Sequence, residues 1–491
     1  MSKNVKLLIA GIVSVAVLAG GIVALNLTKP DDNADSEDTV SSQTESLLLY
    51  DENTDTVKSV NVENDICSYE ITRTKEADGE NSAEYTIDSL KDIPLNSTVV
   101  NSIPTAVASV TAEKVIEENS SDLSQYGLED SKTRINVSFD DGSEKSIVIG
   151  DDTPTGDIYM CFDGESNVYS VSSDTFSVFR NDTDCFVSLV CLEKPETNDD
   201  YPKVNYLEIQ RKDLEYPIKF EYDEKSANTD YSGGTSSTHI MTSPVFAYVN
   251  IGEGSTAITH GMFGLTASSA VSIHPSDDEI EFAGLNDPIC TVTMDTDDGH
   301  NRVLKIGNTI TISDTEYYLG YFSDIDIIYA FSKDSLPWID MQPLDIASSL
   351  VFGTYFYDIG EMKVTAKGHD TLDFVTEGTD KDDFTVKLNG EDYDTEKFKS
   401  FYQYLIQTQA EEIYMQDPDE NDLICSVEIK RNDEFDDETV EFYRGTDDKN
   451  VIIKHNGVTS FINKINYDYL NVLLDNIDRM NTDEELVQVW K

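Results

Sequence analysis

Residues 126–150 read YGLEDSKTRINVSFDDGSEKSIVIG, and this stretch decides the fold. Apolar residues alternate with polar ones on both sides of Asp140-Asp141-Gly142, the pattern of two half-buried antiparallel strands joined by a hairpin. The same landmarks return 157 residues later. Tyr126-Gly127-Leu128-Glu129-Asp130 becomes Ala283-Gly284-Leu285-Asn286-Asp287, Asp140-Asp141-Gly142 becomes Asp297-Asp298-Gly299, and Ile149-Gly150 becomes Ile306-Gly307. After a three-residue insertion the offset is 160, where Val171-Ser172-Ser173-Asp174 meets Phe331-Ser332-Lys333-Asp334. Four matched landmarks with one small insertion identify an internal repeat.

Working outward, strand patterns VKSVNV, SYEITRT and AEYTI precede the first Gly-Leu, followed by a helical bias from Asn96 to Glu118, with Pro104 at its first turn or at a kink. The second copy supplies YLEIQRK and PIKFEYD, a Gly/Ser/Thr-rich loop from Asn228 to Thr238, and a segment from Met262 to His274 in the place of the helix. A third, diverged copy begins at Phe352 with MKVTAKG, LDFVTEG and FTVKLNG. It predicts a helix from Thr395 to about Tyr414 with Asp394 as N-cap, because Phe398, Phe401, Tyr402, Leu405 and Ile406 form one apolar face. Strands SVEIKR, TVEFYR and NVIIKH follow, then a closing helix through Tyr469, Val472, Leu473 and Ile477.

The expected fold class is α+β: tandem modules of antiparallel β-meanders, each packed with a helix, preceded by one N-terminal transmembrane helix. The expected organisation is a cytoplasmic N-terminus (1–6), a transmembrane anchor (7–27), an acidic flexible stalk (28–46) and modules at 47–192, 203–340 and 352–491.

The anchor is read from Leu7 to Leu25, an uncharged run of the length, roughly 20 residues, that spans a bilayer. Lys3 and Lys6 precede it and Asp31, Asp32, Asp35, Glu37 and Asp38 follow, which orients the N-terminus to the cytoplasm and the bulk outside the cell. A cleaved signal peptide, with small residues Val17 and Ala19 at the cut, is the rival reading; the apolar run continuing past that point favours the anchor. Gly21 stands where lipidation needs Cys.

Ninety-five acidic residues against 35 basic ones give a net charge of −60, a field that repels phosphate backbones and excludes nucleic acid as a partner. Hydrophobic residues at 39% nonetheless suffice for packed cores. Six cysteines at 67, 161, 185, 191, 290 and 425 are too sparse for a disulfide framework and form no zinc pattern, so they read as buried thiols.

Acidic oxygen ligands make calcium the one cofactor to weigh. Asp417, Asp419, Asn421 and Glu428 occupy the first, third, fifth and twelfth positions of a calcium loop. Asp422 stands where the loop wants Gly, and Pro418 with the strand-like ICSVEIK disagrees with flanking helices, so an ordinary acidic turn competes with the metal site. Asp295, Asp297 and Asp298 read as a hairpin turn. The histidines, at 239, 260, 274, 300, 369 and 455, lie in scattered, mostly polar segments, and no G-x-S-x-G elbow occurs, so no catalytic residue is expected. Tyr317, Tyr318, Tyr321 and Phe322 read as core rather than as a binding strip.

From Leu95 to Phe179 the sequence, with SQYGLEDS and VSFDDGSEKSIVIGDDTPTGDIYMCFDGESNVYSVSSDT, resembles an uncharacterised bacterial family of membrane-anchored and lipoprotein-type surface proteins. Its members carry a repeated Tyr-Gly-Leu-x-x-Pro module and often sit beside gliding-type ABC transporter subunits; here the second copy keeps Pro288 and the first has Ser131. The resemblance implies a non-enzymatic, extracytoplasmic scaffold, sensor or accessory subunit, with ABC permease or ATPase subunits as partners. The alternative is a calcium-assisted glycan- or cell-wall-binding surface protein.

Overall fold

Period-two alternation becomes antiparallel sheet throughout the computed structural model, which describes residues 46–227, 236–323, 325–348, 351–378, 383–408, 412–433, 435–445, 450–463 and 467–489. The first strands are β1 (Leu47–Asp51), β2 (Val57–Glu63), β3 (Ser68–Lys75), β4 (Glu84–Ile87), β5 (Ser109–Ala112), β6 (Lys114–Glu117), β7 (Thr133–Phe139), β8 (Glu144–Asp152), β9 (Ile158–Phe162) and β10 (Val168–Val171). β1 and β5 form a two-stranded sheet; the other eight lie in the order β4-β3-β2-β7-β8-β9-β10-β6.

Next come β11 (Val204–Arg211), β12 (Ile218–Tyr222), β13 (Ser236–Ser243), β14 (Ala247–Asn250), β15 (Ser269–Ile273), β16 (Cys290–Thr296), β17 (Asn301–Ile312), β18 (Thr315–Phe322) and β19 (Ile327–Phe331). Their order is β14-β13-β12-β11-β16-β17-β18-β19-β15. The last set is β20 (Ile359–Ala366), β21 (Leu372–Glu377), β22 (Thr385–Leu388), β23 (Glu391–Tyr393), β24 (Glu412–Ile413), β25 (Leu423–Arg431), β26 (Glu438–Arg444), β27 (Val451–His455) and β28 (Val458–Asn463), ordered β23-β22-β21-β20-β25-β26-β27-β28-β24.

The three orders are one order. Each sheet joins its early strands to its later meander through a central pair, β2–β7, β11–β16 or β20–β25. In each, the far edge is a strand, β6, β15 or β24, that precedes that meander in sequence and pairs with its last member. The second and third sheets add β14 and β23 beyond the position held by β4 in the first. Both Asp-Gly signals turn as read: Gly142 and Gly299 adopt φ of 82° and 84° between β7 and β8 and between β16 and β17.

The central pair fuses the two meanders of a module into a single sheet. The expected α+β balance with a helix on every meander is corrected, because antiparallel strands dominate and helix is minor. Among the described residues, only Ser97–Ala108, Thr395–Leu405 and Tyr467–Met480 exceed seven helical residues, and none lies within the second sheet. From Met262 to His274 the expected helix is absent. Gly261 and Gly264 take φ of 51° and 88°, which a helix cannot continue, and Ser269–Ile273 pairs with β19 instead. The helix that starts at Thr395 stops at Leu405, short of Tyr414, and Glu412–Ile413 is drawn into the sheet beside β28. The Asn96–Glu118 bias resolves into the helix Ser97–Ala108, with Pro104 inside it, followed by β5 and β6.

The expected membrane helix at 7–27, the stalk up to residue 45 and residues 228–235 of the loop lie outside the described residues. Among those described, no helix is long and apolar enough to cross a membrane.

The chain divides into two compact units: Met1–Cys191 with Leu265–Asn286 and Asn308–Ser335, and Leu192–Gly264 with Asp287–Gly307 and Leu336–Lys491. In the first, the helix Ser97–Ala108 buries Val100, Ile103 and Val107. In the second, the helix Thr395–Leu405 starts on Asp394, whose carboxylate accepts from the N–H groups of Glu396 at 2.9 Å and Lys397 at 3.3 Å. Its Phe398, Phe401, Tyr402 and Leu405 are buried against Phe374 and Phe442 of the third sheet and Tyr469 of the last helix. Tyr404 and Tyr469 stack at 5.1 Å, and each hydroxyl donates to a carbonyl of the other helix, at Tyr469 and Leu405.

Candidate functional site

The repeated Gly-Leu landmark is a turn. Gly127 and Gly284 have φ of 67° and 72°. A Cβ on Gly127 would stand 2.5 Å from Cγ of Asp151, and one on Gly284 would stand 2.7 Å from Oδ1 of Asn308. Asp151 and Asn308 are themselves 157 residues apart, so the repeat extends to the group each glycine admits. The leucine that follows fills a small apolar cluster: Leu128 with Val148, Cys161 and Val168, and Leu285 with Ala283, Leu319, Ile328 and Ala330. Tyr317 and Tyr321 pack on the latter. The leucines thereby cover a sheet face, while Gly127, Gly150, Asp151 and Arg180 line a cavity of about 430 Å³ beside the first turn.

Of the calcium-loop residues, Asp419 caps the turn Glu420–Asp422, accepting from the backbone and side-chain nitrogens of Asn421 at 2.9 and 2.8 Å. Those donors hold its carboxyl below the ordinary value. Asp417 precedes this turn, while Glu428 is exposed on β25, opposite Lys363 and Thr439. Among the described residues, no three His, Cys, Asp or Glu side chains gather as metal ligands would. Asp298 binds Arg302 at 2.9 Å beside its hairpin turn, and Asp297 and Lys203 exchange hydrogen bonds.

Two histidines depart from the polar-segment reading. His239 is 2% exposed and satisfied, with Nε2 2.8 Å from the Val204 carbonyl and Nδ1 2.9 Å from the Thr238 hydroxyl; burial pushes its pKa down. His455, 6% exposed, belongs to a polar cluster within the third sheet. Its sequence signal is the alternation Val451, Ile453, His455 on the inward face of β27, matched by Glu438, Val440 and Phe442 on β26. Strand pairing sets Val440 opposite His455, which brings Glu438 beside the ring.

Glu438 accepts from Nε2 of His455 at 2.9 Å, the Gly353 and Thr354 N–H groups at 2.9 and 3.3 Å, and the Thr354 hydroxyl at 2.8 Å. Burial opposes its charge, yet the bond and charge of His455 together with these other donors outweigh burial and hold the carboxyl below its ordinary value. Arg431 donates to the Thr354 hydroxyl at 3.1 Å and pairs with Asp433, while the Tyr402 hydroxyl donates to the Thr354 carbonyl. The cluster therefore fastens Gly353-Thr354 to the third sheet. An ionised carboxylate only accepts, so the proton of this bond lies on Nε2, which leaves Nδ1 as the other ring nitrogen. That Nδ1 is buried and has no partner.

His455 also lines a cavity of about 210 Å³. Phe246 lies parallel to its ring at 5.6 Å and Tyr248 stands edge-on at 6.5 Å. Exposed Asp436 and Asp437 share the lining, with Lys225 paired to Asp436.

Residues 86–197 match a family model described as a domain of unknown function (DUF4340). No curated protein and no solved structure matches the chain.

Proposed function

We propose that the chain is a non-catalytic, membrane-attached protein whose bulk lies outside the cytoplasm and serves a membrane complex as scaffold, sensor or accessory subunit. The observation that carries this reading is the threefold use of one sheet order. Repeated modules multiply equivalent faces and edges for docking, whereas catalysis needs one singular constellation. The apolar run Leu7–Leu25, basic before and acidic after, supports the attachment and its orientation. The resemblance over the first module supports subunits of an ABC-type transporter as the partner.

In-cell crosslinking followed by isolation of the full-length chain from solubilised native membranes tests this. Permease or ATPase subunits should be recovered, and lost when the sheet modules are exchanged for an unrelated domain. Recovery of the chain alone, or of wall material alone, overturns the transporter reading.

A further inference from the structure

Asn64 ties two distant segments together. Its side-chain oxygen accepts from the N–H groups of Ile66 and Cys67 at 2.8 and 2.9 Å, while its amide nitrogen donates to the carbonyls of Phe179 and Asn181 at 3.0 and 2.8 Å. Across this buried clamp the Cys67 thiol lies 3.6 Å from the Asn181 carbonyl, and on β3 the ring of Tyr69 meets Phe186 edge-on at 5.2 Å. Cys185 sits between these two contacts, in the turn Thr183–Phe186.

The two thiols therefore converge on one pocket. Both act through their charge on the Tyr69 hydroxyl, which is buried and has no hydrogen-bond partner, and Cys67 acts in the same way on Cys185. Burial first, and then the Asp182 charge, pushes the Cys67 thiol up to about 11, and burial above all raises Cys185 further. Neither is ionised near neutral pH, so no charge holds the sulfurs apart. Cys161 on β9, Cys290 on β16 and Cys425 on β25 are core residues of strands, and Cys191 is buried as well; of the six, Cys67 and Cys185 alone are less than fully buried.

We propose that Cys67 and Cys185 are a disulfide-forming pair, which locks the β2–β3 turn to the segment 179–186 when a low-molecular-weight disulfide supplies the oxidising equivalents. The thiolate of Cys67 attacks one sulfur of that disulfide, forming a mixed disulfide and releasing one small thiolate. Cys185 then loses its proton, its sulfur attacks Sγ of Cys67, and the second small thiolate leaves. Both cysteine protons end on the two released thiols, so one disulfide is reduced and one is formed. The pairing follows from the placement of the sulfurs; only oxidising surroundings in the cell rest on the reading that the bulk lies outside the cytoplasm.

The full chain in detergent is reduced, freed of reductant and incubated at pH 8 with 2-hydroxyethyl disulfide, a neutral reagent that the acidic surface does not repel. It is then alkylated in urea and digested without reduction for mass spectrometry. One linked peptide pair, Cys67 with Cys185, lighter than the separate peptides by two hydrogens, is expected, with the other four cysteines alkylated. In Cys185→Ser the reaction should stop with the small thiol on Cys67, whereas in Cys161→Ser the link should form as in the native chain. The linked chain should melt several degrees above the reduced one, since the bond closes a long loop in the unfolded state. A small thiol that persists on Cys67 of the native chain, a link from Cys67 to any other cysteine, or no change in mass overturns the proposal. A melting point that fails to rise overturns it as well, because the bond would then be forced on the fold. The crosslinking experiment reads partners and this one reads sulfur, so either reading can fail alone.

Discussion

Nε2 of His455 lies 2.9 Å from Oε1 of Glu438, with 7% of each side chain exposed. A carboxylate this enclosed is stable only because four donors reach it. Glu438→Gln should cost about 3 kcal/mol in urea unfolding, the usual penalty for breaking a buried pair from one side. Because the folded pKa of Glu438 sits below its ordinary 4.5, the stability it contributes is complete above that value and is lost as pH falls through the folded one. The acid limb of the stability curve should therefore be flatter in Glu438→Gln than in the native chain.

The turn glycines give a paired comparison. Gly127→Ala and Gly284→Ala each add a Cβ at positive φ and against a side chain, and should each cost about 2 kcal/mol. Gly142→Ala has the same backbone strain but open space, and should cost about 1 kcal/mol. Thermal unfolding of the three variants checks the order; equal losses would show that space against Asp151 and Asn308 is irrelevant.

Asp184 is raised to about 6 by burial and then by the neighbouring Asp182 charge. Its unfolded value is near 3.9, so between about pH 4 and pH 6 the folded state keeps a proton that the unfolded state has released, and stability falls as pH rises through that window. Asp184→Asn removes the penalty. It should be neutral near pH 4 and stabilising by about 1 kcal/mol near pH 7, measured by chemical denaturation at both.

All six cysteines are free. Burial raises Cys191, Cys290 and Cys425 to about 12 and Cys161 to about 11. Alkylation of the native chain, kept reduced, near pH 8 should spare these four and also Cys185, whose thiol burial raises further still, with the half-buried Cys67 reacting slowly; in urea all six should react at one rate. Mass counting of the labels gives the answer.

Strands and hairpins were legible because alternation is local: Ile135, Val137 and Phe139 announce β7, and Asp140-Asp141-Gly142 its turn. The β2–β7 pairing was not legible, since it joins Val60 to Val137 across 77 residues and leaves no mark in either strand's own pattern. The helix expected after Met262 failed for the opposite reason, a local propensity overruled by pairing with β19. His455 sits beside polar Lys454 and Asn456, yet Val451 and Ile453 set its inward phase on β27. Nothing in VIIKH shows that Glu438 or Phe246 comes to meet it.

The edge strands that pair with the end of each meander also set an order of arrival. Val115 of β6 waits for Tyr169 of β10, 54 residues later; Ala270 waits 59 residues for Tyr329, and Glu412 waits 50 for Ile462. In a polypeptide delivered N-terminus first, every sheet is thus left open at that side until its final strand emerges, and Val115 and Ile116 stay uncovered throughout. A stop codon inside β10 would release two strands rather than one, because β6 would lose the neighbour that holds it.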